Sequence, residues 1–233
     1  MGSNDDKLDN GRMIILTGSS GGIGRAILPE LSKLDDVIAL YHSSPPDIVD
    51  NNHIVSHKIN LSSETEVKDF CAKFQKNFNQ ITLIHAAVLS CDGLAAQLDV
   101  NDWDRVIDVN LRGNFLISRG LLGSMINEKW GRIIHFSSVA GIRGMPGTLA
   151  YSTAKTGLLG MSRVLAREYA RFGITSNVLA LGYFNTGLIE TLSDKVRNTI
   201  IEEIPSKKLG EPSNIVNAIE YLIKSGYTNG SVL

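Results

Sequence analysis

Short apolar runs alternate with longer amphipathic segments along this chain. The first run, Met13-Ile-Ile-Leu-Thr17, is nearly all apolar, which is typical of a strand buried on both faces of a parallel sheet. Similar runs predict further strands at 37–41, 54–59, 82–87, 132–137 and 175–180, and a seventh that begins at 231. Helical spacing predicts helices at 22–33, 63–78, 102–130 (in two pieces), 151–172, 186–203 and 213–225.

Strands that alternate with helices favour a parallel sheet covered by helices on both faces. The pattern therefore predicts a single doubly wound α/β domain of the Rossmann type over 13–233, with a mostly parallel seven-stranded sheet. Residues 1–12 are polar and acidic and predict a flexible N-terminal segment. Pro29 conflicts with the first predicted helix, where a proline costs ~3 kcal/mol or bends the axis.

Composition narrows the class of protein. The chain has 233 residues, of which 43% are hydrophobic and 20% charged, with a formal net charge of -1. Such a balance gives no electrostatic argument for nucleic acid or an anionic membrane as a partner. No stretch approaches the ~18 apolar residues of a membrane span, and no apolar leader is visible, so we expect a cytoplasmic protein.

Cysteine and histidine usage predicts no metal site. Cys71 and Cys91 stand twenty positions apart and form no ligand pair, and the five histidines are scattered. We expect two reduced thiols.

A glycine-rich segment, Thr17-Gly-Ser-Ser-Gly-Gly-Ile-Gly24, connects the first strand to the first helix. Glycines allow the backbone to approach a pyrophosphate, and the helix N-terminus offers free N–H groups and partial positive charge. The alternative is glycine used only for tight helix–sheet packing. Because strand, turn and helix follow in the required order, we favour a dinucleotide site. Its candidate residues are Gly18, Ser20, Gly22, Ile23 and Gly24.

Tyr151 and Lys155 are four residues apart at the start of a predicted helix, so they share one face. A nearby ammonium favours the phenolate and would lower the pKa of the tyrosine, which would make it a general acid or base. The alternative is a surface tyrosine whose ring packs on the lysine stem.

Two further polar residues stand at positions where chemistry is expected. Ser138 ends a predicted buried strand, thirteen residues before Tyr151, where its hydroxyl could hold a carbonyl oxygen. Its alternative role is a cap at the strand end. Asn110 lies inside an apolar helical run, which suggests either a water relay or a satisfied buried amide.

Together these residues resemble the short-chain dehydrogenase/reductase family over about residues 13–233. Thr17-Gly18-x-x-x-Gly22-x-Gly24 is similar to its cofactor loop, and Ser138, Tyr151 and Lys155 match its catalytic triad with the family spacing. Asn110 matches its fourth catalytic position. The segment from Gly141 to Lys155 most resembles the 3-oxoacyl-[acyl-carrier-protein] reductases.

The resemblance implies further cofactor contacts. Asn60 and Leu61 would lie beside the adenine, Ala87 near the adenosine ribose, and Tyr151 and Lys155 near the nicotinamide ribose. Contacts to the nicotinamide carboxamide would come from Gly182, Phe184 and Thr186. Each has an ordinary alternative: Thr186 is a good helix cap and Asn60 a good turn residue.

The segment after the second strand bears on the choice of cofactor. An acidic residue there would repel a 2′-phosphate, but none occurs before Asp47. His42 and Ser43 could donate hydrogen bonds to the phosphate. We therefore predict a preference for NADP(H), with NAD(H) as the alternative cofactor; a plain polar turn would explain the same residues.

Three positions depart from the family pattern. His85-Ala86-Ala87-Val88 replaces its Asn-Asn-Ala-Gly, Leu181-Gly182 replaces its Pro-Gly, and the sequence ends at Leu233, short of the usual glycine-rich end.

The resemblance implies hydride transfer between a nicotinamide cofactor and a carbonyl group, with a 3-oxoacyl thioester as the expected substrate. A reductase for another alcohol (a sugar, steroid or polyketide) and a non-catalytic cofactor-binding regulator are the alternatives. The resemblance also implies a homo-oligomer, a tetramer or dimer formed through the long helices.

Overall fold

A computed structural model describes residues 11–47, 51–74 and 79–233. Most of the predicted N-terminal segment, residues 1–10, lies outside the described residues. Six parallel strands form one sheet in the order β3-β2-β1-β4-β5-β6. They are β1 Met13–Thr17, β2 Asp36–Tyr41, β3 Ile54–Lys58, β4 Ile81–His85, β5 Gly131–Ser138 and β6 Ile174–Leu181. The strand order reverses between β1 and β4, which creates a crevice at the carboxyl ends of the strands.

Helices cover both faces of the sheet. Their bounds are α1 Gly22–Leu31, α2 Glu64–Phe74, α3 Val100–Ile107, α4 Gly113–Glu128, α5 Val139–Arg143, α6 Leu149–Tyr169, α7 Asp194–Glu203 and α8 Pro212–Lys224. One buried apolar cluster lies between the sheet and α1 and α8, and a second lies between the sheet and α2 and α4. The predicted doubly wound α/β class is confirmed.

The seventh strand was predicted at the C-terminus but is not formed as a strand. Ser231 and Leu233 do hydrogen-bond to Val178 of β6, each with an N···O distance of 2.9 Å. These contacts amount to an isolated parallel bridge between Val178 and Val232. The sheet of the described residues therefore has six strands, because three residues are too few for a full ladder.

The two helical pieces predicted at 102–130 are observed as α3 and α4, and α3 begins two residues earlier than predicted. A π-helical turn, Asp108–Arg112, joins α3 directly to α4. The short helix α5 was not predicted. The helix predicted at 63–78 is observed as α2, and residues 75–78 lie outside the described part of the chain.

Pro29 lies in the last turn of α1, which ends two residues later. Its ring therefore removes only one backbone hydrogen bond, and the hydroxyl of Ser32 donates to the Pro29 carbonyl at 2.9 Å. This position explains how the helix accommodates the proline.

Between 186 and 203, where one helical segment was predicted, a 3₁₀ turn, Gly187–Thr191, precedes α7, and α7 has no buried residue. None of the helices in the described ranges has the length and apolar character that crossing a bilayer would demand.

Candidate active site

The glycine-rich loop makes a backbone turn that only glycine fits at its first position. Gly18 has φ +67°, and a Cβ there would lie 2.5 Å from the Cα of Ala87. The loop is also tied to β2, because the amide and the hydroxyl of Ser19 both donate to the Leu40 carbonyl at 3.0 Å. Ser19 is fully buried, so it anchors the loop, whereas the predicted Ser20 is only partly buried.

The N-terminus of α1 is open to an anion. No side chain caps this end at Gly21, and a Cβ at Gly24 would lie 2.1 Å from the Gly18 carbonyl oxygen. Ile23 is partly buried beside the loop. Unpaired N–H groups and the positive end of the helix dipole favour a phosphate at such a place. The geometry fits the dinucleotide pyrophosphate that the sequence predicts.

The segment after β6 lies against this loop. The Thr186 hydroxyl donates to the Gly22 carbonyl at 3.1 Å, and a Cβ on Gly22 would lie 2.1 Å from the Cα of Gly187. Thr186 caps no helix through its side chain, so the helix-cap alternative is not supported. Phe184 packs against Gly210, and no heavy atom approaches within 4 Å of a Cβ built on Gly182.

On the adenine side, the predicted residues occupy less uniform environments. Asn60 Oδ1 accepts from the Ser62 amide at 3.0 Å, as in an ordinary Asx turn. Leu61 is buried and packs against Gly113. His42 and Ser43 are exposed at the carboxyl end of β2, with Nδ1 and Oγ 3.2 Å apart. Ser44 is exposed beside them, so all three polar side chains at this edge face solvent.

Lys155, on α6, is 3% exposed, and its ammonium donates to the Phe136 carbonyl at 2.7 Å. The Nζ atom is 5.6 Å from the centroid of the Tyr151 ring. Desolvation by burial lowers the pKa of Lys155 to about 8. The helical spacing thus brings the two side chains together as predicted, with the lysine held by β5.

The predicted lowering of the Tyr151 pKa is not observed. Burial of the ring raises the pKa of the phenol, a hydrogen bond with Ser138 opposes this, and Tyr183 and Asp92 raise it further. The Lys155 ammonium donates its hydrogen bond to the Phe136 carbonyl. Tyr183 and Asp92 were missed from the sequence, where neither belongs to a motif.

The end of β5 carries the serines. The Ser137 hydroxyl donates to the backbone carbonyl of Lys155 at 2.8 Å. Ser138 Oγ accepts from the Ala140 amide at 3.1 Å, and therefore caps α5 while it also bonds to Tyr151. The capping role is observed, and the role of holding a substrate carbonyl oxygen stays a prediction.

Asn110 lies at the centre of the π-helical turn and is fully buried. Its amide donates to the Leu89 carbonyl at 2.7 Å and accepts from the Leu89 N–H at 2.8 Å. Its backbone carbonyl accepts from the Asn114 side chain at 2.9 Å. The side chain is therefore a satisfied amide that fixes the loop after β4. A water relay through Asn110 stays a prediction.

Sequence and structural comparisons agree with this geometry. The short chain dehydrogenase family profile matches residues 12–197. The chain belongs to this family and is an NAD(P)-dependent oxidoreductase.

Several relatives are similar over nearly the whole chain. A protein of Rickettsia typhi named 3-oxoacyl-[acyl-carrier-protein] reductase FabG is 33% identical, covering 96% of this chain and 94% of its own length. A protein of the same name from Aquifex aeolicus is 31% identical, covering 96% and 95%. Nodulation protein G of Rhizobium sp. (strain N33) is 31% identical, covering 96% and 94%. A solved structure described as "ElxO with NADP Bound" has the same fold, with a TM-score of 0.88, 24% identity and coverage of 95% and 96%.

Proposed function

We propose that this protein reduces 3-oxoacyl thioesters to 3-hydroxyacyl thioesters with NADPH. The observation that carries the proposal is the convergence of Ser138, Tyr151 and Lys155 at the carboxyl ends of the strands. The similarity to proteins named 3-oxoacyl-[acyl-carrier-protein] reductase supports the thioester as substrate.

Residues of the loop and of the segment after β6 would hold the cofactor. The backbone of Gly18, Gly22 and Gly24 and the first turn of α1 would take the pyrophosphate, and Thr186 the carboxamide side. Ala87 would lie near the adenosine ribose, since the Thr17 hydroxyl accepts from the Ala86 and Ala87 amides at 3.1 Å and fixes that turn. The bound nicotinamide supplies a hydride.

The protein groups would supply the proton and stabilise the developing charge. Ser138 would donate a hydrogen bond to the substrate oxygen, where negative charge grows in the transition state. Tyr151 would transfer its phenolic proton to that oxygen. Because burial raises its pKa, the phenol stays protonated at neutral pH and can act as the donor.

Lys155 would act through its charge. Its ammonium lies near the Tyr151 ring, where it would stabilise the phenolate left after proton transfer. The pKa of about 8 keeps it mostly protonated at neutral pH. Asn110 would hold the loop at Leu89 and, through its backbone carbonyl, one water that links Lys155 to solvent.

A substrate panel tests the proposal. Purified protein would be assayed for NADPH oxidation with acetoacetyl-CoA, a sugar ketone, a steroid ketone and a simple cyclic ketone. We expect the highest kcat/KM with the thioester. A higher kcat/KM with another ketone would show that the thioester is not the preferred substrate. NADPH binding without any turnover would favour a regulatory protein.

The preference for NADPH rests on the absence of an acidic side chain among the residues that directly follow β2. His42 and Ser43 are exposed there and can donate to a 2′-phosphate. We expect a higher kcat/KM with NADPH than with NADH. Equal values or a preference for NADH would contradict this part of the proposal.

We also propose a cytoplasmic homo-oligomer formed through α4 and α6. The oligomer is supported by exposed apolar side chains on these helices, since Phe115 on α4 and Val164 on α6 are 46% and 53% exposed. The compartment is supported by the cysteines, since Cys71 and Cys91 are both free thiols, which suits a reducing environment. Sedimentation would report a dimer or tetramer, and Phe115→Glu should shift the protein toward monomer; a monomeric parent would contradict the proposal.

A further inference from the structure

Two buried histidines form a pair directly behind the catalytic end of the sheet. His85 ends β4 and His135 lies opposite it in the register of β5. Both are 0% exposed, and their Nδ1 atoms are 2.7 Å apart. We call this pair the His–His crossbar, because it joins neighbouring strands through side chains on one face of the sheet.

The crossbar needs a single proton between its nitrogens, so its rings must be opposite tautomers. Ser176 donates to Ser162 at 3.0 Å and is therefore free to accept from His135 Nε2, 3.2 Å away. His135 then accepts at Nδ1 from His85. Ser118 Oγ is 3.4 Å from His85 Nε2 and donates to it, so that a chain of hydrogen bonds runs from Ser118 through both histidines to Ser176. Every ring nitrogen has a partner while both rings are neutral.

The charges that act on the rings favour this neutral form. Burial lowers the pKa of both histidines, and the nearby Lys155 charge lowers both further. His135 also lowers the pKa of His85. Lys155 belongs to α6, which packs over β5 and β6. The ammonium is therefore the charged group that the crossbar faces.

The crossbar immediately precedes two residues that hold Lys155. Phe136, next to His135, accepts from Lys155 Nζ, and the Ser137 hydroxyl donates to the Lys155 carbonyl. On the other strand, His85 precedes the turn that Thr17 fixes at Ala86 and Ala87. Movement at the crossbar would thus displace contacts on both sides of the site.

Packing alone does not account for two imidazoles at this place. The preceding residues on the same face, Leu83 and Ile133, are fully buried and apolar. An apolar pair would continue that core without demanding matched tautomers, and a buried polar pair that loses one partner is costly. A role that depends on a directional hydrogen bond between β4 and β5, and on the fixed positions of the two strands, does account for the pair.

We propose that the His–His crossbar is a positioning device for Lys155. It would fix the Phe136 carbonyl, which accepts from the ammonium, and the Ser137 hydroxyl, which donates to the Lys155 backbone carbonyl. This inference rests on the role given to Lys155 in the proposed function. It identifies His85 and His135 as positioning residues, since neither touches the reacting atoms.

Three variants separate positioning from stability. H135L leaves His85 Nδ1 without a partner. H85L/H135L replaces the crossbar by an apolar pair of similar shape. H85N/H135N keeps a donor and an acceptor near the two Nδ1 positions, so that one hydrogen bond can form across the same gap. His53→Asn, at an exposed histidine, is the matched control.

The readouts are the thermal midpoint, kcat with acetoacetyl-CoA, and the pH dependence of both kcat and NADPH affinity. We expect H135L and H85L/H135L to lower kcat roughly tenfold or more. In the pH profiles of kcat and NADPH affinity, the decline at high pH should begin about half a pH unit lower or more. The reason is that a displaced Phe136 carbonyl no longer stabilises the charged ammonium, so its pKa falls. H85N/H135N should restore both toward the parent, and His53→Asn should match the parent.

The apolar double variant decides the matter. If H85L/H135L keeps the parent melting midpoint but has a lower kcat and a pH profile shifted to lower pH, the crossbar positions Lys155. If it keeps the parent rate and profile, the crossbar serves packing only and the proposal is wrong. A failure of H85N/H135N to recover the profile would also overturn it. NADPH affinity needs no ketone, so its pH profile still tests the crossbar if the thioester proves to be the wrong substrate.

Discussion

Removing the buried charge of Lys155 should make the stability of the protein depend differently on pH. Desolvation lowers the pKa of Lys155 from 10.5 to about 8 in the folded protein. Between these values the unfolded chain binds a proton that the folded chain does not. Parent stability therefore rises with pH across this interval, at up to ~1.4 kcal/mol per pH unit. Lys155→Met abolishes this contribution.

The expected size follows from the two pKa values. From about pH 7.5 to about pH 9.5, the parent should gain about 2 kcal/mol of unfolding free energy relative to Lys155→Met. At neutral pH the variant should be at least as stable as the parent despite the unpaired Phe136 carbonyl, because it no longer buries a charge. The same variant should lose turnover and bind NADPH more weakly.

Urea unfolding followed by circular dichroism at three pH values measures the difference. Lys208→Met removes an exposed lysine and is the matched control, for which we expect a curve parallel to that of the parent. Parallel curves for the parent and Lys155→Met would refute the reasoning, since they would mean that folding leaves the Lys155 pKa unchanged.

Three further predictions concern the proton donor, the buried histidines and the glycine loop. Tyr151→Phe should lower kcat by ~10²- to 10⁴-fold while the NADPH dissociation constant stays within about threefold; near-parent turnover would remove Tyr151 from the mechanism. His85 and His135 have lowered pKa values when folded, so their contribution is present above about pH 6.5 and is lost as pH falls. From about pH 7 to pH 5 the parent should lose about 4 kcal/mol more unfolding free energy than H85N/H135N, and equal losses would show that the rings titrate normally. Gly18→Ala should lower the melting midpoint and weaken NADPH binding, whereas Gly160→Ala, where a Cβ meets no atom within 4 Å, should do neither; similar behaviour of the two variants would contradict the steric argument.

The sequence predicts those features that depend on local pattern. The buried strands and the glycine loop follow from continuous apolar runs and from fixed spacing. The proximity of Tyr151 and Lys155 follows from helical geometry alone. The family resemblance adds Ser138, whose hydroxyl contacts Tyr151.

Features that depend on distant partners escaped prediction. The His–His crossbar joins residues 50 positions apart in the chain, and nothing local marks either histidine. The direction of the Lys155 ammonium was missed for the same reason, because its acceptor is a backbone carbonyl on another element. Helix α5 was missed because its five residues, Val-Ala-Gly-Ile-Arg, are too few to show a helical period.

The π-helical turn between α3 and α4 has a consequence for insertions and deletions. The N–H of Gly113 bonds to the carbonyl of Asp108, five residues back, so this turn contains one residue more than an α-helical turn. Deleting one residue within 108–112 would restore a regular helix, but everything on one side of the deletion would rotate by about 100° relative to the other. Either Asn110 would leave Leu89, or Leu116 and Leu121 would leave the core. This helix should therefore tolerate substitutions at its exposed positions far better than a change of length, even of a single codon.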